Sequence, residues 1–189
     1  MPQTSHDAPQ TPPRPSIPQT LLLLVGILAT LAGYLAICAA LGTQEYYAGF
    51  FFLFFWTGIQ KADFAALPST VAGAFFGLAL GLLLQQLSAR FGPNGGLIFL
   101  APVLVVLFLL LRGHLRFVIN DTAMLMLTVA TVAHVQAHAD FAEMFISLAA
   151  AVVFFGALFW VMNWVTIRLA ARSEAKAPAN ASAPATAVP

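Results

Sequence analysis

Charge is what this sequence has least of. Only 8% of its 189 residues are Asp, Glu, Lys or Arg, against 60% that are hydrophobic, and the mean hydropathy is +0.88. A soluble domain carries about a quarter charged residues, so a water-soluble globule with one covered core is excluded. Cys38 is the only cysteine, which excludes a disulfide scaffold. With 8 Lys/Arg against 7 Asp/Glu the net charge is +1, and there is no basic field for nucleic acid. A nucleotide loop, a Ser–His–Asp set, HExxH, CxxC and a Rossmann fingerprint are all absent. Membrane enzymes need several polar groups converging from different helices, and this chain has few to offer. No enzymatic activity and no cofactor are expected.

What is present is apolar length. Residues 1–18 are rich in Pro, Gln, Ser and Thr, and residues 169–189 end in the Ala/Pro-rich SEAKAPANASAPATAVP. Neither stretch can bury enough apolar surface to offset its ordering entropy, so both read as disordered tails around a membrane domain of residues 19–168. Within that domain lie six apolar segments, at about 21–41, 46–59, 67–87, 97–111, 117–133 and 141–167. The longer ones, at about 1.5 Å per residue, cross a hydrocarbon core of roughly 30 Å. No segment shows strand-type alternation, and helices are the open-ended option for spanning lipid. The expected fold is all-α, a bundle of six transmembrane helices.

The few charges orient it. With six spans, Arg14, Lys61, Arg112, Arg116, Arg168, Arg172 and Lys176 share one face and Arg90 alone lies on the other. Cations concentrate on the cytoplasmic side of membrane proteins, so both termini are expected there.

The tetrapeptide ADFA occurs at Ala62–Ala65 and again at Ala139–Ala142. Each copy follows a glutamine (Gln60, Gln136) and precedes a serine (Ser69, Ser147) and then FFG (Phe75–Gly77, Phe154–Gly156). Three spans per copy force the second copy upside down, the inverted-repeat plan of many transporters. The second helix of each half is then short, which points either to a midplane binding site or to upright helices where the bilayer thins. In the third span Ser69, Gly73, Gly77 and Gly81 form a four-residue stripe. Small residues let a neighbouring backbone approach closely, in the same chain or another subunit.

Polar groups are the candidates for function. Asp121 lies inside the fifth segment, either as a proton or cation site or as half of an interfacial pair with an arginine. Trp56, Thr57 and Gln60 on the second span, with Asp121, Thr122, Thr128 and Thr131 on the fifth, are the candidate lining of a pathway. Trp56, Trp160 and Trp164 also suit interface anchors. His134 and His138, four apart in an expected outer loop with Asp140 and Glu143, are a weak metal pair without a third ligand. Solvated loop residues fit them better.

The start of the second span (Tyr47–Phe50), the Gln60 turn, the small-residue stretch Ser69–Gly81 and RGHLRFVINDTAMLMLTVATVAH together resemble domain-of-unknown-function family 1097, small six-span bacterial inner-membrane proteins. More distantly the layout is similar to the membrane unit of aromatic-acid exporters and fusaric-acid-resistance proteins. The resemblance implies a multi-pass protein of a bacterial inner membrane and no catalytic residues. Two functions are expected from different classes. One is a permease, channel or exporter-like protein for a small solute, in which Thr57, Gln60 and Asp121 face one polar cavity. The other is a non-transporting scaffold or accessory subunit, a homo-oligomer or bound to a membrane partner through an exposed glycine stripe.

Overall fold

A computed structural model describes the backbone of residues 16–176 and the side chains of residues 16–172. Residues 1–15 and 177–189, most of the two expected tails, lie outside the described residues. The described chain is all-α: α1 (Ile17–Ala40), α2 (Tyr47–Leu53), α3 (Leu67–Phe91), α4 (Gly95–Leu111), α5 (Asp121–Ala130), α6 (Ala133–His138) and α7 (Phe141–Lys176). Three helical stretches are long and apolar enough to cross a bilayer, Ile17–Ala40, Leu67–Leu111 and Phe141–Arg172. The protein therefore reads as a multi-pass membrane protein.

Local chemistry sets the ends of these helices. α1 starts where Gln19 Oε1 accepts the Ser16 N–H at 3.0 Å, with Pro18 in the first turn. The middle stretch breaks at Gly92 and Pro93, where Gly92 takes φ +56. There the chain reverses, and α4 returns along α3. A Cβ at Gly95 would lie 2.5 Å from Ser88 Cα, so only glycine permits this approach.

Three boundaries in the second half differ from expectation. The fifth helix begins at Asp121 rather than Phe117, because Gly113 and Leu115 turn in left-handed conformations and Asn120 Oδ1 caps the Ala123 N–H at 3.1 Å. It ends at Ala130, and His134 and His138 lie on the short helix α6 rather than in an open loop. The tail expected from residue 169 is helical as far as Lys176, since α7 continues as one 36-residue helix.

Small side chains set the packing. α3 and α5 run parallel: Gly73 meets Asn120, Gly77 meets Ala123 and Met126, and Gly81 meets Ala130. α2 and α7 also run parallel, from Gly49 against Ala151 to Trp56 against Phe159, whose rings are 5.3 Å apart. α3 and α7 cross in opposite directions, with Phe75 stacked on Phe145 at 6.0 Å. The core between them gathers Tyr34, Phe52, Trp56, Leu78, Met126, Leu148 and Phe155. α1 touches the rest mainly through Tyr34 and Cys38, its two buried residues. One end of the bundle carries Lys61, Arg112 and Arg168; the other carries Glu45, Arg90 and Glu143.

Candidate functional site

At the Lys61 end, α2 unwinds before it stops. Phe54–Ile59 forms a π-helical turn, closed by Gln60 N–H to Phe55 O at 3.2 Å. Lys61 and Ala62 follow in left-handed conformations, φ 53 and 55, strained for residues with a Cβ. The fully buried Trp56 holds this turn, donating its indole N–H to Asp63 O at 3.0 Å and packing against Phe52, Phe64 and Phe159. Gln60 Oε1 accepts from the hydroxyl of Thr70, which is fully buried and also lies 2.9 Å from Ala66 O. Trp56 is thus a core residue tying a turn, not an interface anchor.

The remaining pathway candidates occupy separate settings. Thr57 donates to Leu53 O of its own helix at 2.7 Å and lines a groove beside α1. Thr128 and Thr131 are exposed and donate to Met124 O at 2.8 Å and Thr128 O at 2.9 Å. Asp121 is exposed in the first turn of α5, where the helix dipole favours a carboxylate. Arg116, an arginine expected near it, lies against Gly113 instead. Thr122 is fully buried, and its hydroxyl has no hydrogen-bond partner among the described residues. The structure does not bring Thr57, Gln60 and Asp121 into one polar cavity.

The stripe Ser69–Gly73–Gly77–Gly81 does pack closely, within the chain. α5 covers the three glycines, and Asn120 Nδ2 donates to Ser69 O at 2.7 Å. No exposed glycine face is left for a partner.

At the Glu143 end, a hydrogen-bonded knot joins three helices. The Tyr34 hydroxyl donates to Tyr46 O at 3.0 Å and lies 3.2 Å from Ser147 O. Ser147 Oγ donates to Glu45 O at 2.7 Å, and Glu143 Oε2 accepts the Gln44 N–H at 2.7 Å. Gln136 Nε2 donates to Ala130 O at 2.6 Å and Gly81 O at 3.0 Å, closing the end of α5 against α3. The His134 and His138 rings stack at 4.7 Å, exposed, and no group of three metal ligands occurs among the described residues.

The aspartate of each ADFA copy makes the same turn, although Ala62 before it is left-handed and Ala139 is extended. Asp63 Oδ1 accepts Ala65 N–H at 2.9 Å, and Asp140 Oδ1 accepts Ala142 N–H at 2.8 Å. In this register Ser147 matches Thr70 rather than Ser69. The pairs Thr70/Ser147, Ala74/Ala151 and Leu78/Phe155, each 77 residues apart, are all fully buried.

Two apolar hollows flank α1. One, of about 760 Å³, runs between α1 and α7 past Ile37, Leu41, Ile146, Val153 and Phe154. Another, of about 490 Å³, lies at the Lys61 end between Leu22, Gly26, Thr30, Leu53, Thr57 and Met162. Sequence reasoning missed Tyr34, the residue that separates them. A lone tyrosine in an aliphatic span was the available signal. The chain matches no protein family, no curated protein and no solved structure.

Proposed function

We propose that this chain is a six-span protein of two inverted three-helix halves, acting as a non-transporting accessory subunit or scaffold in a bacterial inner membrane. Its helix directions support six spans. α1, α3 and α5 run from the Lys61 end to the Glu143 end, and α2, α4 and α7 return. Exchanging the halves swaps α1 with α4, α2 with α5 and α3 with α7. The α2–α7 contact then becomes α5–α3, and the α1–α7 contact becomes α4–α3. The matching aspartate turns and buried positions follow the same exchange. Lys61, Arg112, Arg116, Arg168 and Arg172 share one end, which the positive-inside rule assigns to the cytoplasm.

The observation that carries the functional reading is the fate of the polar side chains. Thr57, Gln60 and Thr70 are committed to helix ends and turns, Asp121, Thr128 and Thr131 are exposed, and the hollows around α1 are apolar. With the glycine stripe covered, partner contact falls to the α1 and α7 faces. A second reading, a permease, channel or exporter-like protein for a small solute, is favoured by the buried Thr122 hydroxyl, which has no partner among the described residues.

One reconstitution separates the two. Liposomes containing the chain are tested for glycerol-driven swelling and for proton leak with an entrapped pH dye. The accessory reading expects the rates of protein-free liposomes. A raised rate that Thr122→Val abolishes would establish the permease instead. Reporter fusions after Arg90 and at the C-terminus test the orientation, with only the latter expected to report cytoplasm.

A further inference from the structure

We propose that the groove at the Lys61 end of α1 is a lipid site, taking one acyl chain of an anionic phospholipid whose headgroup meets the cations beyond the groove. It rests on the membrane reading above and not on the absence of transport. The groove is lined by Leu22, Gly26, Leu53, Leu158, Phe159 and Met162, with Thr30 and Thr57 as its hydroxyls. Both hydroxyls are bonded to their own helix, Thr30 to Gly26 O at 2.9 Å and Thr57 to Leu53 O at 2.7 Å. They present no polar demand to an occupant. The walls therefore suit hydrocarbon.

Size and charge together select the occupant. An α-helix with side chains is about 10 Å across, so a hollow of about 490 Å³ holds little more than one turn of one. A helix could not enter it beyond about one turn, whereas a thin flexible chain can lie along it. Beyond the groove, Lys61 follows Thr57 by four residues, past the helix end at Ile59, and Arg168 and Arg172 continue α7 beyond Met162. All three are exposed, and Arg168 stacks over Trp164 at 4.0 Å, the posture of an interfacial anchor. Of the acids at this end, Asp63 is turned to cap the Ala65 N–H at 2.9 Å and Asp121 sits in the first turn of α5, where the helix dipole favours it. Juxtamembrane cations attract anionic headgroups.

The second half supplies the contrast. α4 occupies the place in its half that α1 occupies in the first, and there the same space is filled. Gly95 presses on Ser88, and Phe99 is buried in the core with Leu80 and Val106. That end carries Arg90 as its one cation. The hollow of the second half, of about 520 Å³, lies further along α4 beside Pro102, Leu109 and Leu115.

Trp56 is a built-in reporter, because it packs on Phe159 at 5.3 Å and Phe159 lines the groove. The test uses the full chain with Trp160→Phe and Trp164→Phe, leaving Trp56 as the only tryptophan of three. It is reconstituted in phosphatidylcholine vesicles containing brominated-chain phosphatidylglycerol or brominated-chain phosphatidylcholine. Quenching of Trp56 is expected at a several-fold lower mole fraction of the anionic lipid. Lys61→Gln with Arg172→Gln should merge the two curves. Gly26→Leu, whose side chain enters open groove because nothing lies within 4 Å of the added Cβ, should remove quenching by both lipids. Helix content by circular dichroism confirms that each variant is folded. Equal quenching by the two lipids, or quenching that survives Gly26→Leu, overturns the site. The lipids are the same on both faces of the vesicle, so a reversed reporter fusion overturns the orientation alone and solute flux the accessory reading alone.

Discussion

α3 against α5 and α1 against α7 are both contacts between apolar helices, yet they differ in closeness. The first is near enough that a Cβ at Gly77 would strike Ala123 O. The second leaves grooves of about 760 and 490 Å³ and closes mainly at Tyr34 and Cys38. Apolarity cannot explain the difference, since lipid tails satisfy Leu as well as another helix does. What differs is size and polar tethering. α3 offers glycine at every fourth position and α5 answers with Ala123 and Ala130. α1 carries leucine at 21–24, 28, 31 and 35 and is tied by one hydroxyl. In this bundle close packing follows small residues, and loose packing leaves room for lipid.

The strongest way to break the contrast is to spoil the tight contact. Gly77→Leu forces α5 off α3, because the obstruction is backbone and cannot rotate away. The expected cost is about 3 kcal/mol or more, read as loss of the folded monodisperse protein in detergent. Wild-type unfolding by this variant would mean that α5 is not held by the stripe.

The loose contact has its own weak point. Tyr34→Phe removes the hydroxyl that reaches Tyr46 O and Ser147 O, at an expected cost of about 1–3 kcal/mol. Cys38 is the natural probe, being buried at 1% exposure one turn beyond Tyr34 and the only cysteine. Maleimide labelling of Cys38 should accelerate in Tyr34→Phe as α1 detaches. An unchanged labelling rate would show that α1 is held by something other than its tyrosine.

These two contacts also mark how far the sequence could be read. The stripe was legible because four-residue spacing places residues on one helix face whatever lies opposite. Its partner was not legible, since Ala123 and Ala130 are unremarkable in an apolar helix. The Tyr34 hydrogen bond joins residues 113 apart, and no local pattern announces it. The start of α5 was hidden for a different reason. Phe117, Val118 and Ile119 look like span, while the conformations of Gly113 and Leu115 and the Asn120 cap keep them out of the helix. Polar residues were legible as exceptions but not as contacts. Gln60 and Trp56 were read as lining because they are polar or large, and they turn out to close the strained end of α2.

A smaller effect sharpens the comparison between halves. Asp63→Ala and Asp140→Ala each delete one aspartate turn ahead of a long helix, so each should cost about 1 kcal/mol. If the halves are equivalent, the two losses should agree within about 0.5 kcal/mol in denaturant titrations of the reconstituted protein. A loss confined to one site would show that the repeated tetrapeptide does the same job only once.

The smallest expected effect is the control on which the contrast depends. Gly156 follows the buried Phe155 on α7, yet an added Cβ there meets nothing within 4 Å. Gly77 and Gly156 close the two FFG triplets, one facing a helix and the other open space. If close approach, rather than glycine as such, decides which contacts are tight, Gly156→Leu should leave stability within about 0.5 kcal/mol of the unsubstituted chain. A cost near that of Gly77→Leu would mean that α7 already has a close neighbour against Gly156 in the isolated chain, before any partner binds its face.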